Sequence, residues 1–295
     1  MFPFSKKRNL QGMVVIITGA SSGIGRSLAK ILSYRGCRLA LVARRRELLE
    51  SLNAELGGEH LVLPGDITKR EDCERIVYHA FSHFQRLDVL VCNAGYGWAG
   101  ALEKMQPERI EDIFNTNFFG TLWCVRAVIP LMKTQPEKDG RTGHIVIVSS
   151  ACARRGVPYM GVYSATKAAQ LNLAEALRPE LHADGVYVSS VHPLTVDDTE
   201  FFEGINNRSS KPGAFVPGKK QSVEEVVRAI VCCLERPRPE VWPKPFSRFS
   251  LICSVIFRRL TDWVLIHFHC RRFRRDNEMR HQSSGNPMPG VAAQE

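Results

Sequence analysis

The chain has no run of apolar residues long enough to cross a membrane, no Cys-x-x-Cys pair and no internal repeat. A spanning helix needs about 20 mostly apolar residues. The most hydrophobic late segment, FSRFSLICSVIFRRLTDWVLIHFHC, is interrupted by Arg258, Arg259 and Asp262. The nine cysteines, Cys37, Cys73, Cys92, Cys124, Cys152, Cys232, Cys233, Cys253 and Cys270, mostly lie in apolar runs. They read as small core residues of a protein in a reducing compartment, which excludes a disulfide-framed fold. Metal-ligand spacing is also missing: His267, His269 and Cys270 are close together but have no second cluster, so no metal is expected. Nor is an export signal expected. Lys6, Lys7 and Arg8 precede MVVII, but that run is only five residues long and ends in a Gly-rich turn, as a first strand would. The sequon Asn207-Arg208-Ser209 therefore carries little weight, and a cytoplasmic location, with peripheral membrane contact as an option, is expected.

What is present is a chain of 295 residues, 44% hydrophobic and 24% charged, long enough for one large α/β domain. Short apolar runs at Met13–Thr18, Arg38–Ala43, His60–Leu63, Asp88–Cys92, His144–Ser149 and Val186–His192 alternate with helix-length stretches at 24–35, 45–56, 69–84, 107–133 and 160–183. Near-continuous apolar strands separated by helices predict a parallel sheet covered on both faces, wound by right-handed crossovers into a doubly wound fold. After residue 193 the texture changes. Residues 204–220 read as a loop, a helix is expected at about 222–235, and RPRPEVWPKP is Pro-rich. The basic and aromatic segment 246–275 and a polar tail, 276–295, expected to be disordered, complete the chain. The expected division is thus a catalytic domain at 1–245, a C-terminal helix at 246–275 and a tail.

The first strand opens into TGASSGIG. Gly19, Gly23 and Gly25, with Ser21, Ser22 and Ile24 between them, form either an ordinary glycine-rich turn or a cradle for a pyrophosphate at a helix N-terminus. Its place after a strand and before an amphipathic helix favours the cradle. Farther on stand Asn93-Ala94-Gly95 after the fourth strand, Asn117 in NTNFFG, Ser149-Ser150 at the end of the fifth, and Tyr163 in YSATK with Lys167 four residues on. These motifs, in this order and spacing, resemble the short-chain dehydrogenase/reductase family over roughly residues 12–240.

The resemblance implies an α/β Rossmann-like doubly wound parallel sheet of about seven strands, to which a C-terminal helical extension is added. It also implies a dinucleotide on the Gly19–Gly25 turn, with the adenine edge at Asp66 and Ile67, a crossing of the sheet's carboxyl end at Asn93, Ala94 and Gly95, and the nicotinamide near Tyr163, Lys167 and Pro193. NAD enzymes usually carry an acid at the end of the second strand. This chain reads Ala43-Arg44-Arg45-Arg46 there. Either these arginines simply begin the next helix, or they bind a 2′-phosphate. NADP(H) is favoured, with Arg44 and then Arg45 as the contacts, and NAD(H) stays the alternative.

YSATK by itself puts a phenol and an ammonium one helical turn apart, which is equally the face of an ordinary helix. Ser150 alone could be a strand-end cap, and Asn117 a buried amide satisfying backbone. Together, by resemblance, they form a catalytic set. Tyr163 exchanges a proton with the substrate oxygen, Lys167 lowers the phenol's pKa and binds the nicotinamide ribose, Ser150 holds the substrate oxygen, and Asn117 supports a water chain past Lys167. The expected activity is hydride transfer between nicotinamide and a carbonyl or secondary alcohol, as in a carbonyl reductase. The reading from another class is a non-catalytic nucleotide-binding sensor or scaffold on the same fold.

One departure concerns HPLTVDDTEFF. The family's Gly after Pro193 is Leu194, and the Thr that contacts the nicotinamide amide is either Thr195 or Thr199. Tyr96, Trp98, Leu102, Phe201, Phe202 and Phe215 suggest an apolar small-molecule substrate. The net charge is +10, and residues 246–275 hold seven Arg and one Asp. On a helical wheel Ile252, Ile256, Leu260, Trp263 and Ile266 share a face opposite Ser254, Arg258, Thr261 and Asp262, with Arg259 intruding on the apolar side. Such a helix packs on its own domain or on another subunit of a homo-oligomer, or rests on anionic lipid. No nucleic-acid motif accompanies the charge, and no nucleic-acid partner is expected.

Overall fold

The computed structural model describes residues 7–196 and 221–270. Seven parallel strands, β1 (Val14–Thr18), β2 (Arg38–Ala43), β3 (Leu61–Pro64), β4 (Val89–Cys92), β5 (Gly143–Val148), β6 (Val186–Val191) and β7 (Glu240–Val241), form one sheet in the order β3-β2-β1-β4-β5-β6-β7. The apolar strands are explained by covering on both faces. Val15 and Ile17 face a core built with α1 (Gly23–Tyr34), α2 (Arg46–Glu55) and α7 (Val223–Glu235). Val14 and Ile16 face the opposite core, built with α3 (Arg70–Phe84), α5 (Gly120–Thr134) and α6 (Gly161–Glu180). Six of the cysteines, Cys37, Cys73, Cys92, Cys124, Cys152 and Cys233, are buried, and none of the nine forms a disulfide.

Strand order reverses between β1 and its two neighbours, β2 and β4. At such a switch point the loops leaving adjacent strands diverge and open a crevice at their carboxyl ends. Here the crevice is held by one hydroxyl. Thr18, 2% exposed, accepts from Asn93 N at 3.0 Å and Ala94 N at 3.1 Å and donates to Val91 O at 3.3 Å. Asn93 Nδ2 returns bonds to the carbonyls of Thr18 (3.0 Å) and Gly19 (3.3 Å). Gly19 sits at φ +68°, and a Cβ there would lie 2.8 Å from Ala94 Cα, so both backbone conformation and space call for glycine.

Three expectations need revision. The stretch expected as one helix at 107–133 is α4 (Pro107–Phe114), a π-helical turn (Asn115–Phe119) and α5. The Pro-rich segment contributes β7, a two-residue edge strand that starts directly after Pro239, since proline is tolerated at a strand's margin. The C-terminal segment is not one helix. Phe257, at φ −93° and ψ +56°, separates α8 (Pro245–Ile256) from α9 (Arg258–Val264), and a π-helical turn at Leu265–Cys270 follows. The loop 204–220, the sequon, Thr199, Phe201, Phe202, Phe215 and the tail lie outside the described residues.

Replacing Thr18 with Val keeps the shape but leaves the Asn93 and Ala94 amides without their acceptor. Unfolding in urea should show a loss of about 1–3 kcal/mol. A loss under about 0.5 kcal/mol would mean that this hydroxyl does not hold the crevice together.

Candidate active site

A cavity of about 650 Å³ occupies the crevice. One half of its wall comes from the first turn and the second and third strands: Gly19, Ser21, Ser22, Gly23, Ile24, Arg44, Arg45, Asp66 and Ile67. Ser22 is the N-cap of α1 but makes no side-chain cap bond, so the first N–H groups of that helix face the cavity uncapped. Those donors and the adjoining positive end of the helix suit a phosphate. Gly25 stands behind this wall. A Cβ there would strike Gly19 O and lie 2.7 Å from Asn93 Nδ2, so its role is to let α1 meet the turn.

The three arginines divide. Arg46 pairs with Glu50 along α2 at 3.4 Å, whereas Arg45 Nη2 lies 3.4 Å from Ser21 Oγ. Arg44 has no hydrogen-bond or ion-pair partner among the described residues and lines the cavity. Asp66 is engaged with its own turn, accepting from Thr68 N at 3.0 Å and Thr68 Oγ1 at 2.9 Å. The donor set therefore suits a phosphate-bearing dinucleotide.

The other half gathers Asn93, Ala94, Gly95, Ser150, Tyr163, Lys167, Pro193 and Thr195. Ser150 caps the short 3₁₀ turn Ala151–Ala153, accepting from Cys152 N at 3.4 Å, and its hydroxyl lies 3.5 Å from Pro193 O. Lys167, 3% exposed, donates to Val148 O and Gln170 Oε1, both at 3.0 Å, and lies 5.8 Å from the Tyr163 ring centre. Burial lowers its pKa from 10.5 to about 8. Burial also pushes the Tyr163 phenol well above its ordinary value, Cys152 adds to the rise, and the Ser150 hydroxyl opposes it. In this state the phenol holds its proton at neutral pH and is a proton donor. The expected lowering by Lys167 is not among the causes that act on the phenol, and desolvation dominates.

Asn117 stands outside the cavity wall. It is fully buried in the π-helical turn, where its Oδ1 accepts from Tyr96 N at 3.0 Å and its Nδ2 donates to Tyr96 O at 2.9 Å and Thr166 Oγ1 at 3.0 Å. The site also uses residues that the motifs do not single out. Gln170 touches Lys167, and His192 puts Nδ1 3.2 Å from Ser150 O while stacking on Trp242 at 4.5 Å. The only signal for Gln170 in the sequence is a polar residue one turn beyond Lys167. Leu194 N is held by Gln221 Oε1 at 2.8 Å, which fixes the strand-end turn in which leucine replaces the expected glycine.

On the substrate side stand Tyr96, Val157, Met160 and Leu194, and from the C-terminal segment Leu251, Ser254, Thr261 and Leu265. Trp98 packs in the apolar cluster beneath and Leu102 is 65% exposed; neither lines the cavity. No group of three or more His, Cys, Asp or Glu that could hold a metal occurs among the described residues.

The chain is similar to known proteins in sequence and in fold. The family model for short chain dehydrogenases matches residues 13–210. The 11-beta-hydroxysteroid dehydrogenase 1A of Arabidopsis thaliana is 34% identical over 268 residues, covering 86% of this chain and 75% of that protein. A short chain dehydrogenase from Burkholderia cenocepacia, solved in complex with NADP, is 30% identical with a TM-score of 0.72, over 88% of this chain and 99% of that one. The 3-ketoacyl-(acyl-carrier-protein) reductase of Brucella melitensis, solved with NADH, is 29% identical with a TM-score of 0.70, over 77% and 92%.

The buried ammonium predicts a pH dependence of stability. Below about pH 8 both folded and unfolded chains hold the Lys167 proton, and the folded state bears the full cost of a buried cation. Between about 8 and 10.5 the folded state sheds the proton while the unfolded state keeps it, so stability rises with pH. Relative to Lys167→Met, the wild type should gain up to about 3 kcal/mol as urea unfolding is repeated from pH 7 to 10. A difference between the two proteins that does not change with pH would contradict the burial of a charged Lys167.

Proposed function

The chain belongs to the short chain dehydrogenase family, and on that premise we propose that it is an NADP(H)-dependent carbonyl reductase, working in reverse as a secondary-alcohol dehydrogenase. The observation that carries the reading is one cavity in which a cofactor-shaped half, with Arg44 unpartnered among the described residues, adjoins a half holding a protonated Tyr163 beside Lys167. A nicotinamide held in the cofactor half would supply the hydride. Tyr163 then gives its proton to the carbonyl oxygen, and the Ser150 hydroxyl orients that oxygen. The positive charge of Lys167 steadies the phenolate left behind. Ser21, Ser22, Gly23 and Ile24 hold the pyrophosphate, and Arg44, assisted by Arg45, holds the 2′-phosphate. NAD(H) is the weaker fit, because no acid ends β2 to accept from a free ribose hydroxyl. The apolar walls formed by Val157, Met160, Leu194, Leu251 and Leu265 suit an apolar ketone or aldehyde. A nucleotide sensor on this fold has no use for a buried ammonium beside a phenol.

Residues 1–245 then form the catalytic domain, and α8 and α9 add a roof over the substrate side. Their outer surface is where the apolar residues go. Phe246, Phe249, Ile256, Phe257, Leu260 and Trp263 are each more than half exposed, and the exposed Arg248, Arg258 and Arg259 stand among them. The small residues Ser254 and Thr261 face the cavity instead, and Arg155, which also lines it, reaches out to the exposed Asp262. No helix among the described residues is long and apolar enough to cross a membrane. Aromatics mixed with arginines match an anionic lipid surface, so this face rests on a membrane.

Tyr163→Phe removes one hydroxyl and leaves the ring. Its kcat should fall by about 10²–10⁴, while NADPH binding, read by cofactor fluorescence, persists. Retention of more than about a tenth of the wild-type rate would show that another group protonates the substrate. For the outer surface, the wild type should float with anionic vesicles at low salt and leave them as salt is raised. The triple variant Phe249→Ser, Phe257→Ser, Trp263→Ser should stay at the bottom. A wild type that does not float, with light scattering showing that the variant splits an oligomer, would assign this face to a second copy of the chain.

A further inference from the structure

Lys167 can donate three hydrogen bonds, and two of them are spent inside the protein, on Val148 O and on Gln170 Oε1. Gln170 is itself fully buried one turn farther along α6. Its amide nitrogen donates to Asn117 O at 2.6 Å and to Thr121 Oγ1 at 2.8 Å, and Thr121 Oγ1 donates to the same carbonyl at 2.8 Å. A carbonyl oxygen has two lone pairs, and here both are taken by protein donors. The π-helical turn produces this arrangement, because it interrupts the ordinary helical ladder at Asn117 and turns that carbonyl toward α6.

We infer that Gln170 is a positioning residue that closes the rear of Lys167: its amide bridges the ammonium to the Asn117 carbonyl and leaves no acceptor there for a water chain. This rests on the reading of Lys167 as part of a reductase site. Two consequences follow. The third N–H of Lys167 is directed to the cavity, where the cofactor half begins. Proton exchange with solvent then runs through the mouth of the cavity and not through the π-helical turn. The groups facing Lys167 from the packed elements are the Tyr163 phenol on α6 and the Cys152 thiol on the turn after β5. Burial keeps both in their neutral forms, so Gln170 supplies the nearest strong acceptor to the ammonium besides Val148 O.

The test is a pH titration of lysine labelled with ¹³C at Cε and ¹⁵N at Nζ, in the protein without cofactor, with the Lys167 signal assigned by its loss in Lys167→Met. Gln170→Leu and Gln170→Met both remove the acceptor and keep the volume, so either should lower the titration midpoint by about one pH unit. Gln170→Glu keeps an acceptor at Lys167 and adds negative charge, so it should raise the midpoint, while losing the donor to Asn117 O should lower Tm. Opposite signs in the two kinds of variant are the signature of direct contact, and a general loosening of the core would not produce them. Midpoints that stay at the wild-type value in all three variants would overturn the inference. NADPH turnover against a carbonyl panel is measured alongside. Absent turnover in the wild type with the expected midpoint shifts would fail the reductase reading and keep the role of Gln170. Normal turnover with unmoved midpoints would do the reverse.

Discussion

An ammonium ion buried at the carboxyl edge of a parallel sheet is the constraint around which the site is organised. A desolvated cation must be surrounded by acceptors, and each acceptor of Lys167 comes from a different layer. Val148 O is the last carbonyl of β5, and Gln170 Oε1 comes from α6 and is braced in turn by the π-helical turn ahead of α5. Moving any of these elements would leave the charge unpaired. Tyr163, one turn before Lys167 on the same helix, is thereby fixed over the cavity, and Ser150 is fixed at the end of the strand that supplies the carbonyl. The same burial that strains the ammonium keeps the phenol protonated, and this is the state that the proposed reduction draws on.

The cofactor half depends on a second, local solution. At the β1/β4 switch point two loops must part widely enough to admit a ligand and still be joined. Thr18 and Asn93 join them by pairing the backbone groups that the divergence would leave open. Glycine at 19 and 25 lets backbone stand where any side chain would collide. The result is a rigid floor with uncapped N–H groups above it, which is the state in which an anion is bound with little reorganisation.

Much of this was legible in the chain because it repeats local rules. Apolar runs of strand length gave six of the seven strands to within a residue or so, and the Gly-rich turn, Ser150 and Tyr163-x-x-x-Lys167 all come together on one cavity. The misses have physical causes. A π-helical turn keeps helical periodicity almost intact, so the break at 115–119 leaves no pattern in the hydrophobicity. Strand β7 is two residues long and owes its existence to the neighbouring β6 edge, not to its own Pro-rich sequence. The bonds of Gln170 are tertiary, and a glutamine in the helix after YSATK looks like an ordinary surface choice. The C-terminal segment departs from the usual rule, since Leu251, Ser254, Thr261 and Leu265 face the cavity while most of its aromatic residues face out. The amphipathic pattern was visible, but its direction was not, because periodicity does not say which face meets the core.

The central claim is that the cavity transfers a hydride from NADPH to a carbonyl. The most direct measurement follows absorbance at 340 nm with the purified protein, NADPH or NADH, and a panel of apolar ketones and aldehydes, with the alcohol product quantified in the same samples. The account predicts NADPH consumption matched one for one by alcohol, with kcat/KM for NADPH at least about tenfold above that for NADH, a difference of about 1.4 kcal/mol in transition-state stabilisation. NADPH that binds with normal fluorescence enhancement but is not consumed with any member of the panel would contradict it.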